Sequence, residues 1–348
     1  MNDESGAAKN GPTTDAGRPT LKTIAFMTGL GVTTVSRALK DAPDIGQETK
    51  KRVQLVARQI GYRPNRAGVR LRTGKTNVIS LILNTDEQQL SFISDIIYGI
   101  TEAVADTPYH LILTPYSRRN DPIDPVRYVV ETQSADGVII SQTEPNDARV
   151  RYMSEHGFPF ATHGRTQMGV EHAWHDYDNA AFARAAVHRL AERGRRRLAL
   201  LAPPPALTYH LHTRDGFAEG LTETGLQDVP FGDAWVDQPI EHIREHALRL
   251  VRSPRAPDGI VSASGTGAIA LVAAIEEAGL TLGREIDVVT KQSSKLVQMF
   301  RREMMVVDED FRLAGGELAR AVLGQIAGRP MASLQSLAAP GLVEGPFA

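Results

Sequence analysis

The sequence predicts an N-terminal all-α helix-turn-helix domain, followed by an α/β core built from two doubly wound parallel-sheet lobes. The first observation is a pair of short apolar stripes at helical spacing, separated by a glycine-bearing turn, within residues 19–64. The second is an alternation of short apolar strands with amphipathic helices from Val78 onward, a pattern typical of parallel sheets. The third is a difference in charge between these two parts.

Positive charge is concentrated near the N-terminus. Residues 19–75 contain twelve Lys and Arg against three Asp and Glu, a charge of +9 in a chain of 348 residues whose net charge is -2. A basic segment on an otherwise acidic protein suits binding to the phosphates of a nucleic acid duplex. The chain has no cysteine, which excludes disulfides and thiolate metal sites. Its polar start and the lack of a membrane-length apolar run predict a cytoplasmic protein.

The helix-turn-helix is predicted over residues 19–64, after a disordered tail at 1–18. Its first helix places Leu21, Ile24 and Ala25 on one face, and its second helix resumes the apolar stripe. This leaves the start of the second helix exposed, and such a helix start can enter a DNA major groove. The exposed positions are Val32, Thr33, Thr34 and Arg37.

A third helix and a hinge follow. Residues Gln47 to Ile60 read as a helix that ends at Gly61, because glycine suits a helix end and Pro64 disfavours a helical residue before it. Residues 65–75 form a hinge or linker, and 66–73 are long enough for only one or two helical turns. Such a short helix needs a partner to be stable.

The remaining chain, 76–348, is predicted to form the two-lobed core. We expect lobe 1 at about 76–164 and 294–329, and lobe 2 at about 165–293 and 330–348. Ligands of such sheets bind at the carboxyl ends of the strands, so a cleft between the lobes is the expected binding site. The predicted strands are 78–83, 110–113, 137–140, 158–162, 198–202, 259–262 and 288–290, and the predicted helices are 91–105, 125–133, 179–193, 214–224, 240–251 and 266–278.

The chain resembles the lactose-repressor (LacI/GalR) family of bacterial transcription regulators. The resemblance rests on Thr20, Ala25, Val35-Ser36-Arg37, Tyr62, Pro64-Asn65 and Leu71, and less closely on Asp178-Asn179, Arg214-Asp215-Gly216-Phe217 and Ala314-Gly315. It implies a core like that of periplasmic sugar-binding proteins, although the missing signal peptide argues against an exported binding protein. It also implies an allosteric repressor of carbohydrate-uptake or catabolic genes, not an enzyme, with no cofactor. The expected partners are a pseudo-palindromic operator and a second copy of the chain, with a tetramer left open.

Roles at the DNA follow from the resemblance, position by position. Val32 and Thr33, with Thr34 beside them, stand where base edges are contacted, and Arg37 stands where a third base or a phosphate is met. Lys22, Asn65 and Arg66 are expected to position the DNA backbone. Leu71 is expected to enter the minor groove from paired hinge helices and to kink the operator. One departure is Gly31, which stands where a side chain normally caps the recognition helix.

The resemblance also implies a small-molecule effector, most simply a sugar or sugar derivative, held between the lobes. The matching positions are Phe92, Arg165, Asp178, Arg214, Ser264, Lys291 and Gln292. Phe92 is equally consistent with a core residue, and Arg165 and Asp178 with lobe-bridging or capping roles. Of these, Arg214 is expected at the start of a helix that faces the cleft. Ser264 and Gln292 stand where many relatives carry Asn or Asp, so an acidic hydroxyl acceptor is expected to be lost. The three basic side chains of Arg165, Arg214 and Lys291 near one cleft are consistent with an anionic effector. It is equally consistent with the sequence that Lys291 points to solvent.

Two rival classes are weaker. The segment from Ser264 to Ala270 contains a form of the dinucleotide fingerprint, but Lys291 and Gln292 end the next strand, where an acid is required. Three histidine pairs are candidates for metal sites, namely His172 with His175, His210 with His212, and His242 with His246. The last pair has helical spacing but is typical of a charged outer face. We therefore expect neither a metal site nor a catalytic residue.

Overall fold

The computed structural model describes residues 19–62, 70, 74–84, 90–117, 121–292, 296–341 and 345. The chain divides into two compact units, with the boundary between Thr76 and Asn77. The tail expected at 1–18 lies outside the described residues, as does most of the expected hinge. In the part of the chain that is described, no helix is both long and apolar enough to cross a membrane.

The first unit contains the three predicted helices, which are α1 (Leu21–Thr28), α2 (Val32–Ala38) and α3 (Gln47–Gln59). Helix α1 begins at a capping box between Thr20 and Thr23 and ends at Gly29, whose φ of 66° only glycine adopts at low cost. Helix α2 begins after Gly31, which provides no side-chain hydrogen bond to the helix. The departure noted in the sequence thus leaves the start of α2 without a side-chain cap.

The core of the first unit is small and apolar. Ile24, Val35, Ala38 and Val53 are fully buried and join the three helices. Lys50 is also buried, because its ammonium group bonds to the side chain of Asp41 at 2.8 Å and to the carbonyl of the same residue at 3.1 Å. These contacts fix the turn between α2 and α3.

The second unit is built on two wholly parallel sheets. The first contains β1 (Val78–Asn84), β2 (His110–Tyr116), β3 (Gly137–Ile140), β4 (Phe160–His163), β5 (Ala173–Tyr177) and β11 (Gln335–Ala338), in the order β11-β5-β4-β3-β1-β2. The second contains β6 (Arg197–Leu201), β7 (Gln227–Asp228), β8 (Gly259–Ser262), β9 (Asp287–Gln292) and β10 (Met305–Asp308), in the order β10-β9-β8-β6-β7. Parallel pairing requires a crossover between neighbouring strands, and helices supply most of these crossovers.

The helices cover both faces of the sheets. They are α4 (Leu90–Val104), α5 (Asp124–Thr132), α6 (Ala148–Glu155), α7 (Asn179–Glu192), α8 (Thr208–Thr224), α9 (Ile240–Val251), α10 (Gly265–Glu277), α11 (Leu296–Phe300) and α12 (Phe311–Ile326), with a 3-10 turn at Met331–Leu334. On β1, Ile79 and Leu81 pack into one apolar cluster, whereas Val78 and Ile82 pack into another on the opposite face. A strand buried on both faces explains why β1 carries apolar residues on both faces, with the buried Ser80 as the polar residue inside it.

Strand pairing corrects the expected lobe boundaries. Strand β5 pairs with β4 and β11, so lobe 1 extends through Tyr177 instead of ending at 164. Strand β10 pairs with β9 and belongs to lobe 2, although 294–329 was assigned to lobe 1. Strand β11 lies in lobe 1 although 330–348 was assigned to lobe 2. These three strands were not predicted, because each has only four or five residues and, for β11, because its pairing partner β5 is distant in sequence.

The glycine of the sequence motif at 214–217 has a packing role. A Cβ at Gly216 overlaps the backbone of Ala180, so α7 and α8 approach each other closely in lobe 2. In lobe 1, Gly99 on α4 and Gly315 on α12 allow the same kind of approach. Both lobes are therefore held by a tightly packed helix pair beside the sheet.

Candidate functional sites

The exposed face of the first unit carries the residues expected to read DNA. Val32 and Thr33 are exposed at the start of α2, Thr34 is half-buried, and Lys22 is exposed on α1. Val35 and Ala38, which follow on the inner face of α2, are fully buried. Asn65, Arg66 and Leu71 lie outside the described residues.

Arg37 has an acidic partner within the same unit. Its Nη2 lies 2.6 Å from Oδ1 of Asp44, and about half of each side chain is exposed. An exposed ion pair of this kind contributes little, about 0–1 kcal/mol, so the guanidinium can exchange Asp44 for another acceptor. Base contact by Arg37 therefore requires that this pair opens.

A cavity of about 300 Å³ lies between the two lobes of the second unit. Lobe 1 contributes the chain that follows β3, β4 and β5, and lobe 2 contributes the chain that follows β8, β9 and β10. These are the carboxyl ends of the strands of both sheets, where the sequence analysis expected the cleft. The polar lining residues include Ser141, Gln142, Thr143, His163, Asp176, Asn179, Asp237, Ser264, Thr266, Lys291, Gln292 and Glu309, and the apolar ones include Tyr209, Val236, Ile269, Val297 and Phe311.

Three of the seven expected effector residues line this cavity. Ser264 caps α10 by accepting a hydrogen bond from the Gly267 amide at 3.4 Å. The glycine-rich segment that follows is thus the start of a lobe helix, and the cavity meets it there. Lys291 and Gln292 are buried at the end of β9. The orientation of Lys291 toward solvent, which the sequence left open, is therefore wrong.

Arg165 and Asp178 are not among the lining residues, and both have structural partners. Arg165 donates from Nε to Oδ2 of Asp176 at 2.7 Å and lies over the ring of Trp174. Asp178 caps α7 by accepting from the Ala181 amide at 2.9 Å. Asp178 thus matches the capping alternative, whereas the contacts of Arg165 lie within lobe 1 and do not bridge the lobes. Phe92 lies in the first turn of α4, and its side chain lies outside the described part of the structure.

Arg214 does not reach the cavity, which corrects the expectation for this residue. Its side chain is 59% exposed and pairs with Asp215 at 3.1 Å. Helix α8 begins at Thr208, six residues earlier than predicted, so Arg214 lies in the second turn. Tyr209 lines the cavity, and the next residue on its face of the helix is the buried Thr213, whose hydroxyl donates to the Tyr209 carbonyl. Arg214 is one position further around the helix.

Carboxylates line the cavity at positions that the sequence analysis missed. Asp176 lies on β5, Glu309 follows β10, and Asp237 lies between β7 and α9. The sequence analysis expected no acidic acceptor at the ends of β8 and β9, and these three carboxylates from other segments provide acidic acceptors instead. Asp176 lies on a strand that was not predicted, and Glu309 lies directly after another. The polar run Asp308-Glu309-Asp310 after an apolar pair was the available signal.

Lys291 is the buried cation of this site. Its Nζ lies 2.8 Å from Oε2 of Glu309 and donates to Oδ1 of Asn179, also at 2.8 Å. The ammonium group further lies 5.2–5.7 Å from the ring centres of Tyr177, Phe182 and Tyr209. Ion pairing and aromatic faces together compensate for the removal of this charge from water.

Gln292 leaves one acceptor without a partner. Its Nε2 donates to Oδ1 of Asp308 at 2.8 Å, which fixes the orientation of the amide. Its Oε1 is buried and has no hydrogen-bond partner among the described residues. A buried carbonyl oxygen without a donor is costly, so a hydroxyl or amine of a bound molecule is favoured at this point.

The two lobes are joined by hydrogen bonds beside the cavity. The amide of Thr208 in lobe 2 donates to the carbonyl of Thr143 in lobe 1 at 2.9 Å. In addition, Nε2 of Gln142 donates to Oδ2 of Asp237 at 3.4 Å. A ligand between the lobes can therefore act on contacts that hold them together.

Burial lowers the pKa of the histidines near the cavity. It lowers the pKa of His175 to about 4, with a further contribution from neighbouring His163. The rings of His163 and His175 stack at 6.3 Å, and Nδ1 of His175 lies 2.9 Å from the hydroxyl of Ser336. The pKa of His163 is also lowered by loss of hydration. Both rings are uncharged at neutral pH, and they add no positive charge to the site.

The histidine pairs considered as metal sites have other neighbours. His172 bonds to Thr162, His210 to the Pro203 carbonyl, and the ring of His246 stacks on Phe231. Within the described ranges, no group of three or more His, Asp or Glu side chains is arranged to hold a metal ion.

Comparison with known proteins gives matches to both units. Residues 20–65 match the model of bacterial regulatory proteins of the lacI family, and residues 187–346 match that of the periplasmic binding protein-like domain. The regulator AglR of Rhizobium meliloti strain 1021 is 31% identical over 318 residues, covering 88% of this chain and 87% of that protein. RafR of Escherichia coli is 35% identical over 212 residues, covering 60% and 62%.

Solved structures agree with this assignment. The CelR regulator in complex with cellobiose is 25% identical, with a TM-score of 0.67 over 94% of this chain and 100% of that chain. The lac repressor dimer bound to operator and the anti-inducer ONPF is 19% identical and shares the fold, with a TM-score of 0.81 over 94% and 98%. With a basic helix-turn-helix unit, a two-lobed parallel-sheet core and a full-length relative above 30% identity, the chain belongs to the lacI family of bacterial regulatory proteins.

Proposed function

We propose that this transcription regulator represses carbohydrate-uptake or catabolic genes and that a sugar or sugar derivative, bound in the cavity between its lobes, controls its affinity for the operator. The observation that carries the proposal is the cavity itself, with its polar lining and the buried, unpartnered Oε1 of Gln292. Sugar hydroxyls donate to carboxylate and amide oxygens, and aromatic rings such as Tyr209 and Phe311 suit the apolar faces of a sugar.

A related structure supports the effector class. CelR, similar to this chain over nearly its whole length, was solved with cellobiose. The cavity of about 300 Å³ lies at the lower end of the range for small-molecule sites. This volume favours a mono- or disaccharide over a longer chain.

The DNA-binding residues are proposed on exposure and charge. Val32, Thr33, Thr34 and Arg37 would read base edges, and Lys22 would contact a phosphate. Asn65, Arg66 and Leu71 keep the backbone and minor-groove roles that the family resemblance implies. Because effector and operator bind the same protein, each must change the affinity of the other by the same factor.

Two exposed apolar patches support a homodimer. One lies at the edge of the first sheet, where Ile112, Leu113 and nearby Tyr98 are 44–62% exposed. The other lies on α11, where Met299 and Phe300 are 78% and 43% exposed, while Leu296 of the same helix lines the cavity. Exposed apolar clusters of this kind are typical of protein interfaces. A dimer would present two recognition helices to a pseudo-palindromic operator.

The experiment starts with a thermal-shift screen of neutral mono- and disaccharides, including glucose, galactose, maltose and cellobiose. Operator DNA, selected from genomic fragments, is then titrated by fluorescence anisotropy with and without the sugar that gives the largest shift. We expect operator affinity to change by about 5- to 150-fold when the sugar is present. Equal affinities with and without sugar would refute control by a sugar.

Two variants locate the effector. Gln292→Leu removes the unpartnered acceptor and should abolish the response to sugar while DNA binding persists. Arg214→Ala is the matched control, because Arg214 is exposed and lies away from the cavity, so its response should equal that of the parent protein. The opposite pattern would place the effector site on the outer face of α8.

A further inference from the structure

The cation of the cavity already has a counter-ion. Lys291 is only 6% exposed, and its charge is balanced at 2.8 Å by Glu309, which is 8% exposed. The pair is buried in the lining of the proposed effector cavity, so its two charges are poorly screened by solvent. An incoming anion therefore meets a neutralised pair and not an available ammonium group.

The other basic residues considered near the cleft are likewise neutralised or distant. Arg165 is paired with Asp176, and Arg214 is paired with Asp215 on the outer face of α8. Among the described lining residues, the carboxylates of Asp176, Asp237 and Glu309 stand against the single cation Lys291. Because Lys291 and Arg165 already have carboxylate partners, the cavity offers no uncompensated cation to a carboxylate or phosphate on a ligand, and burying such a charge there is costly.

Lys291 retains a donor for an uncharged ligand. Of its three N–H groups, one donates to Asn179 and one faces Glu309. The third has no hydrogen-bond partner among the described residues. Gln292, the next residue along the strand, also lines the cavity and keeps an acceptor, Oε1, without a partner, so the lining retains both a donor and an acceptor for an uncharged ligand.

We propose that Glu309 is a specificity-determining residue: as the internal counter-ion of Lys291, it restricts the cavity to uncharged sugars and excludes sugar acids and sugar phosphates. This inference rests on the proposed function, because it concerns the ligand of the same site. It assigns the charge selectivity of the cavity to one buried carboxylate. The expected consequence is that removal of this carboxylate converts Lys291 into a binding site for an anion.

The test compares ligands that share a skeleton and differ in charge. Isothermal titration calorimetry of the full chain uses cellobiose with cellobiouronate, galactose with galacturonate, and glucose with glucose 6-phosphate. We expect neutral members to bind and their anionic partners to bind at least tenfold more weakly, because the cavity supplies no counter-ion for the added charge. Equal or tighter binding of the anionic members to the parent protein would overturn the proposal.

Variants at the pair provide the second part of the test. Glu309→Gln keeps the size of the side chain and should shift the ratio of anionic to neutral affinity by at least tenfold toward the anion. The gain should disappear in Glu309→Gln combined with Lys291→Met, and Glu309→Asp should restore the discrimination. An unchanged ratio in Glu309→Gln would overturn the proposal. The ratio of anionic to neutral affinity is measured within one variant, so a loss of folded protein does not alter it. If no Gln variant folds, the ratio measured for the parent protein tests the proposal.

The outcomes also separate this inference from the proposed function. If no sugar of either charge binds while operator DNA is bound, effector control by a sugar is wrong, and this inference falls with it. If neutral and anionic sugars bind equally and both change operator affinity, the proposed function stands and the role of Glu309 is wrong.

Discussion

Replacing Asp44 with asparagine should increase the affinity of the protein for its operator. In the first unit, Arg37 is held 2.6 Å from Asp44, and both side chains are about half exposed. A base contact by Arg37 must first break this pair. In the Asp44→Asn variant the guanidinium has no anionic partner to leave, so the cost of freeing it falls.

The magnitude follows from the exposure of the pair. Exposed ion pairs contribute about 0.2–1 kcal/mol, which corresponds to a gain in operator affinity of about 1.4- to 5-fold. In contrast, Arg37→Ala should lose about 1–3 kcal/mol of specific binding if Arg37 makes a bidentate base contact. The two changes should not be additive, because Asp44 acts on DNA binding through Arg37.

Fluorescence anisotropy with operator and random-sequence duplexes, at three salt concentrations, measures both effects. Glu48→Gln, at the exposed start of α3, controls for the general loss of one negative charge. The reasoning is refuted if Asp44→Asn binds operator no better than Glu48→Gln does. It is also refuted if Asp44→Asn has the same effect in the presence and absence of Arg37.

Two further predictions concern the second unit. Because the folded protein holds the pKa of His175 at about 4, below its ordinary value of 6.5, protons bind the unfolded chain first as the pH falls. The free energy of unfolding that an uncharged His175 contributes is complete above about pH 6.5 and declines toward pH 4, by about 3 kcal/mol in all. The free energy of unfolding measured in urea should therefore depend less on pH in His175→Gln. For the patch at the edge of the first sheet, Leu113→Glu should reduce the mass in solution from about twice 37.9 kDa to the mass of one chain and should weaken operator binding. Light scattering measures this mass, and a variant that is still a dimer would exclude this patch as the interface.

Much of the fold was accessible from the sequence, because local patterns determine it. The apolar stripe through Ile24 and Val35 and the positive charge of residues 19–75 indicate the helix-turn-helix without reference to distant residues. Strands such as Val78–Asn84 carry apolar residues on both faces because both faces are buried, and that signal is also local. The two-lobed core followed from these features, whereas the family was recognised from motif residues such as Val35-Ser36-Arg37.

The composition of the cavity depended on tertiary structure. Whether Arg214 or Thr213 faces inward depends on where α8 begins, and a shift of one residue turns a side chain by about 100° around a helix. Lobe membership of β5, β10 and β11 depends on pairing between strands that lie more than a hundred residues apart in some cases. The partner of Lys291 is Glu309, and no spacing in the sequence links them. The sequence by itself determined which elements form, since secondary structure follows local periodicity, whereas the charges that meet in the cavity were decided only by how distant strand ends come together.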